Sequence, residues 1–299
     1  MDKVFKYYAF GLNIQSFVQI PQIPKGDFSE PDVTIVAADF SSLPKSERKL
    51  TSENSVFFRV VEAGRFRITN GNMIQVELAE DCKESVLAVY LMGSCMGAIL
   101  IQRGYMLLHG SCVTNGKRSI LITGDSGAGK STLAAEFLKN GWKLLTDDVT
   151  CLYDIAGTPT VQSSYPSQKL WQDAMDRYGK SGEDVHALYF SEDREKFGVN
   201  VADSFLEGTA PLSMVVRLMP NGHSTLVSPI EGMAKVDQLM RNTYRYYMLE
   251  QQHQQRHFQR CVTLSTKLPM ALAVRENNKD CAPVLYDMIT KFMEENCHD

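Results

Sequence analysis

The chain has 299 residues, of which 44% are hydrophobic and 22% charged, with a formal net charge of −4. That length holds one large or two modest domains with a substantial core. The faintly acidic balance argues against a general nucleic-acid binder, which would carry a basic surface.

Seven cysteines, at 82, 95, 112, 151, 261, 281 and 297, form no Cys-x-x-Cys pair. An odd number without that spacing excludes a disulfide framework and a cysteine-only zinc site. It fits free thiols in a reducing, cytoplasmic compartment. Met1 to Tyr7 carries no signal-peptide pattern.

The first eighty residues read as strands: Val33–Val36, Ser55–Val60, Gly64–Ile68 and Met73–Leu78, with a hairpin signal at Asn70-Gly71-Asn72. Residues 20–31, with three prolines, read as loop. A small β-rich domain over 1–80 is therefore expected, followed by a larger α/β domain over 81–299. The longest apolar run, Val86 to Ile101, is shorter than the ~20 residues that cross a bilayer. Together with Gly93, Ser94 and Gly97 it predicts a buried helix over 83–102 and no membrane span. Short strands follow at Tyr105–His109 and Ser111–Thr114, with a turn at Asn115-Gly116.

Residues 124–131 read Gly-Asp-Ser-Gly-Ala-Gly-Lys-Ser, a full match to G-x-x-x-x-G-K-[ST]. Small residues let backbone N–H groups close around a phosphate. Ser119–Thr123 before the loop suits a strand, and Thr132–Lys139 after it has helical spacing, with Gly141 placed as a C-cap. Strand, loop and helix N-terminus then meet where donors and dipole favour an anion. The nucleotide-binding set is Gly124, Asp125, Ser126, Gly127, Ala128, Gly129, Lys130, Ser131 and Thr132. Lys130 reaches the β- and γ-phosphates and Ser131 the Mg²⁺ that accompanies ATP.

A strand over 142–145 runs into Asp147-Asp148, where a phosphate-loop enzyme places its metal-binding carboxylate. On an extended backbone, neighbouring side chains point to opposite faces. One aspartate would face metal and the other act as general base. Asp148, with Ser131, is taken as the metal-side acid, and Lys130, Asp147, Asp148 and His109 form the catalytic set. His109 alone, at a strand end, is a weak signal.

Past Asp154 the reading expects a hairpin around Gly157, a helix over 168–178 and a polar, loop-rich stretch over 179–210. A strand over 212–219 then turns at Pro220-Asn221-Gly222 into Ser224–Val227. One helical stretch from 231 to 260 and a last helix over 282–296 complete it. His253 and His257 stand four apart among glutamines and read as a polar face. Lys196, Arg241 and Arg245 are candidates for contact with a substrate phosphate or carboxylate.

His109-Gly110, the Gly124–Ser131 loop with Asp125 and Ser126, and Thr146-Asp147-Asp148 resemble the catalytic domain of HPr kinase/phosphorylase, most strongly over 105–150. The resemblance implies a phosphate-loop kinase domain related to HPr kinase and phosphoenolpyruvate carboxykinase. It implies phosphoryl transfer to a serine hydroxyl, with His109 in the catalytic centre. Three further segments, 91–104, 165–171 and 241–245, resemble HPr-kinase-like proteins of lasso-peptide pathways, which phosphorylate the C-terminal serine of a precursor peptide. Thr132 and Lys196-Phe197-Gly198-Val199 depart from the bifunctional enzyme, which puts HPr itself and the reverse reaction in question.

The expected protein is an ATP- and Mg²⁺-dependent kinase acting on a peptide or small protein. The alternatives are a small-molecule kinase on the same scaffold and a non-catalytic nucleotide sensor. Neither nucleic acid nor membrane is expected as a partner, and a homo-oligomer is left open.

Overall fold

A computed structural model describes residues 3–43, 49–52, 54–178, 185–191, 194–249, 251–277 and 279–297. The first strands are β1 (Phe5–Ala9), β2 (Leu12–Ser16), β3 (Val33–Ala37), β4 (Lys49–Ser52), β5 (Ser55–Val60), β6 (Gly64–Thr69) and β7 (Met73–Leu78). Among the described residues they form one sheet in the order β1-β2-β3-β7-β6-β5-β4. Alternating burial along β2 and β6 marks a sheet with one covered face. The sequence reading missed β1, β2 and the four-residue β4.

Helix α1 (Glu84–Gln102) covers that face. By length and composition it could cross a membrane. Here Leu91, Met92, Met96, Ile99 and Leu100 are buried in a cluster shared with Ile14, Ile35, Phe66, Ile68 and Ile74 of the sheet. The same cluster takes in Leu107, Val149, Tyr165 and Tyr244. The N-terminal sheet and the following region therefore share apolar core through α1. At its middle, α1 widens into a π turn over Leu91–Cys95.

The second sheet is built from β8 (Met106–His109), β9 (Ser111–Thr114), β10 (Ser119–Thr123), β11 (Lys143–Thr146), β12 (Val149–Ile155) and β13 (Thr158–Gln162). A third, small sheet holds β14 (Ser167–Trp171), β15 (Val185–Ser191) and β16 (Arg194–Asn200). The second is completed by β17 (Thr209–Gly222), β18 (Leu226–Pro229) and β19 (Met270–Glu276). Its path is β11-β9-β10-β17-β13-β12-β8, with β19 added beside β17 and β18. β10 lies parallel to β17, and β17 parallel to β19. β10 is buried at all five positions, as a central strand covered on both faces must be.

The helices after α1 are α2 (Lys130–Lys139), α3 (Gln172–Arg177), α4 (Met233–Arg241), α5 (Gln251–Lys267) and α6 (Ala282–Asn296). Four stretches differ from the sequence reading. The stretch over 168–178 is strand through Trp171 and helix only from Gln172, because Ser167, Gln168 and Leu170 are buried in a ladder with β16. The stretch over 179–210 contains β15 and β16, while 179–184 and 192–193 lie outside the described residues. The helix over 231–260 breaks after Arg241, and the chain crosses the sheet end with Arg245 in the left-handed region (φ +49°) before α5 begins. β17 also continues through Pro220 to Gly222 beside β19, instead of turning there.

Candidate active site

The phosphate loop lies at the C-terminal end of β10. At Gly124 φ is +140°, and a Cβ would sit 2.4 Å from the Leu218 carbonyl of β17. Only glycine lets the chain leave the sheet there. The loop closes on itself through Ala128 N–H to the Asp125 carbonyl (3.1 Å). It is braced by Arg275 of β19, whose Nε donates to the Ala128 carbonyl (2.9 Å). Lys130 curls back over the loop and donates to the carbonyls of Gly124 (2.8 Å) and Asp125 (3.1 Å). Ser126, Gly127, Gly129, Lys130, Ser131 and Thr132 line a cleft of about 190 Å³. The N-terminus of the ten-residue α2 thus faces that space, with its dipole favouring an anion.

The opposite wall of the cleft includes His109, Ser111, Asp147, Asp148 and Lys169. Asp147, 6% exposed, accepts hydrogen bonds from the Ser111 hydroxyl, the Ser131 hydroxyl (3.3 Å) and the Lys169 main-chain N–H (2.7 Å). A buried carboxylate with three donors is satisfied. Asp148 follows with φ +78°, a conformation that aspartate tolerates better than most residues. This kink corrects the extended-backbone expectation. The two carboxylates do not point to opposite faces of a strand but line one cleft with different partners.

Asp148 Oδ2 accepts from Lys169 Nζ at 2.6 Å. Its Oδ1 and its carbonyl oxygen each lie 3.2 Å from His109 Nδ1. Burial pushes the Asp148 carboxyl up, but the Lys169 ammonium and His109 outweigh it and hold the group well below the ordinary carboxylate range. Burial pushes Lys169 down, but the Asp148 charge and hydrogen bond, with Tyr165 and Tyr244, together outweigh it and raise the ammonium.

His109 is placed by residues distant in the chain. Its N–H donates to the Asn242 carbonyl (2.7 Å), and the Asn242 side-chain Oδ1 accepts from Gly124 N–H (3.3 Å). One residue of the α4–α5 connection therefore ties the histidine to the phosphate loop. Tyr244, 5% exposed, lies with its ring 6.2 Å from the His109 ring, seated against Gly93 and Gly97 of α1. Burial, with the nearby Asp148 charge, pushes its phenol up to about 12.

The expected residues thus divide. The Gly124–Thr132 loop, His109, Asp147 and Asp148 come together at one cleft. Ser131 and Asp148 were expected at a metal, but the Ser131 hydroxyl bonds Asp147, while Asp148 is taken up by Lys169 and His109. Arg245 stacks over Tyr244 (5.5 Å) and Tyr247 (6.0 Å), within electrostatic reach of Asp148. Arg241 is exposed and paired with Asp237 (2.7 Å) one helical turn back. Lys196 stands opposite Trp171 in the β14–β16 ladder. His257, read as part of a polar face, is 4% exposed and its Nε2 lies 2.6 Å from the Thr243 hydroxyl. Among the described residues no cluster of three or more His, Cys, Asp or Glu could hold a metal unaided. Asp147 and Ser131 would offer two oxygens to a hard cation that takes its remaining ligands from phosphate and water.

Lys169, Asn242 and Tyr244 were missed as site residues. The alternation of buried positions around Lys169 was hidden by a helical reading, and the 242–245 break by an assumed continuous helix.

Fold and cleft together define an α/β protein in which a glycine-rich loop at a helix N-terminus faces paired carboxylates. No protein-family profile matches the chain. The chain is 50% identical over 50 residues to the HPr kinase/phosphorylase of Clostridium beijerinckii, a stretch that is 17% of each protein. It is 38% identical over 81 residues, 25% of each, to the HPr kinase/phosphorylase of Limosilactobacillus reuteri. The matches thus span a sixth to a quarter of these curated relatives. The structure of the Hpr(Ser) kinase/phosphatase from Coxiella burnetii aligns with 63% of this chain and 91% of its own, at 12% identity and a TM-score of 0.34, a likeness too slight to argue from.

Proposed function

We propose that this chain is an ATP-dependent kinase that transfers the γ-phosphoryl group to a serine hydroxyl of a peptide or small protein. The observation that carries the reading is the meeting of the Lys130 loop, Asp147 with Ser131, and the Asp148–His109 pair around one cleft. The local similarity to HPr kinase/phosphorylase supports it. A nucleotide sensor needs the loop but has no use for a half-buried Asp–His pair facing it.

In this reading Asp147 and Ser131 hold Mg²⁺, which when bound supplies charge neutralisation to the phosphates. Lys130 leaves its loop carbonyls for the β- and γ-phosphates. Asp148 is too stabilised as a carboxylate to be a good proton acceptor. It orients His109 through Nδ1, leaving Nε2 as the ring nitrogen that takes the serine proton. The serine oxygen then forms a bond to the γ-phosphorus, the bond to the β,γ-bridging oxygen breaks, and ADP departs with that oxygen. Arg245, at the Asp148 side, is the candidate acceptor contact.

Two of the segments that resemble the lasso-peptide branch, 165–171 and 241–245, contain Lys169, which lines the cleft, and Arg245, within electrostatic reach of Asp148. They support a serine-ended peptide as acceptor over free serine. Incubation with γ-labelled ATP, Mg²⁺, a serine-ended peptide, a small serine-bearing protein and free serine tests this. Label in peptide or protein is expected. Label in free serine alone would establish the small-molecule reading, and nucleotide binding without any labelled product would leave a sensor. Lys130→Ala and Asp147→Asn should each lower kcat at least 100-fold with the fold retained by circular dichroism.

A further inference from the structure

Lys169 serves the two aspartates with different atoms. Its main-chain N–H, fixed by the β14–β16 ladder, donates to Asp147 Oδ2 at 2.7 Å. Its side-chain ammonium donates to Asp148 Oδ2 at 2.6 Å, on the carboxylate whose other oxygen faces His109 Nδ1 at 3.2 Å. Asp147 and Asp148 are adjacent in sequence, yet only Asp148 depends on what side chain stands at 169. Asp148 also sits in the left-handed region, where a non-glycine residue persists only if its surroundings hold it. The held group is the carboxylate, with Lys169 on one side and His109 on the other. Lys169 lies at the third position of a buried strand and its side chain is 12% exposed, a costly place for an ammonium that no packing need explains.

We propose that Lys169 is a positioning residue for phosphoryl transfer: its ammonium fixes Asp148, and through Asp148 the His109 ring, while its amide independently fixes Asp147. The proposal rests on the kinase reading above. Its consequence is a separation that ordinary destabilisation would not produce. Replacing the side chain leaves the amide, so the Asp147–Ser131 side, and with it nucleotide and Mg²⁺ binding, stays intact. The acceptor side loses its anchor.

The test compares wild type, Lys169→Met, Lys169→Arg and Lys169→Cys for ATP–Mg²⁺ affinity by calorimetry and for kcat with a serine-ended peptide as acceptor. For Lys169→Met we expect ATP affinity within threefold of wild type and kcat lowered at least 100-fold. Lys169→Cys, treated with 2-bromoethylamine to rebuild an ammonium at nearly the lysine position, should regain at least tenfold in kcat. Wild type carried through the same treatment controls for Cys82, which is only half-buried, the other native thiols being buried. Equal kcat in Lys169→Met, or a parallel loss of ATP affinity in all folded variants, overturns the proposal. If Lys169→Met does not fold, the Lys169→Cys pair and Lys169→Arg decide it. No recovery on aminoethylation, or wild-type kcat in the longer, forked arginine, contradicts positioning. Failure of wild type to transfer phosphate at all would instead strike the kinase reading, so the two failures are distinguishable.

Discussion

Gly124 and Asp148 show how single backbone conformations build this site. The Gly124 N–H reaches Asn242, and its missing side chain leaves room for the Leu218 carbonyl at 2.4 Å from where a Cβ would stand. That neighbour is backbone and cannot swing aside. Gly124→Ala should therefore displace the loop, and ATP affinity measured by calorimetry should fall at least tenfold; unchanged affinity would mean that the loop tolerates the shift. The loop was fully legible in the sequence, because its glycines and lysine do local work that neighbours in the chain define. Lys169 was not legible, since its partners lie 21 and 22 residues away and only the fold brings them near.

At the scale of elements, α1 connects the N-terminal sheet to the chemistry. Its π turn and Gly93 and Gly97 form the notch that holds Tyr244, and Tyr244 in turn backs the His109 ring. A Cβ at Gly97 would come within 2.9 Å of the Tyr244 ring. Glycine inside a helix ordinarily costs about 1 kcal/mol against alanine, so replacing it here sets a gain in propensity against overpacking. Gly97→Val gains little in propensity and adds bulk, and should destabilise by about 2 kcal/mol while lowering kcat about tenfold through displaced Tyr244. Urea titration and steady-state kinetics on the same preparation check both. Helix existence over 83–102 was readable from apolar content. The break between α4 and α5 was not, because 242–249 carries no Gly or Pro and leaves the helix only where Asn242 and Thr243 find long-range partners.

Across the whole molecule, the shared cluster of sheet, α1, Val149 and Tyr244 implies that residues 1–80 and 81–299 unfold together. Both tryptophans, Trp142 and Trp171, lie in the second segment, so their fluorescence and far-ultraviolet circular dichroism should give coincident urea transitions; separated midpoints would mean two units. Acid sensitivity is also set by packing. Burial, with Arg260 nearby, lowers the His257 pKa from 6.5 to about 4. The unfolded chain then binds the extra proton first as pH falls, so the stabilisation present above pH ~6.5 is lost down to pH ~4 and totals roughly 3 kcal/mol. His257→Gln should flatten that limb of the stability profile relative to wild type; an identical slope in both would assign the acid loss to other groups.

The chemical claim at the centre is that the phosphate loop and the Asp148–His109 pair act on one triphosphate. Asparagine at 148 tolerates the left-handed backbone, and its amide oxygen can still accept from Lys169. Single-turnover transfer from γ-labelled ATP by Asp148→Asn, measured beside its ATP affinity, is therefore the direct test. Affinity within threefold of wild type and transfer slowed at least 100-fold is the expected result. Transfer at the wild-type rate in that variant would contradict the account.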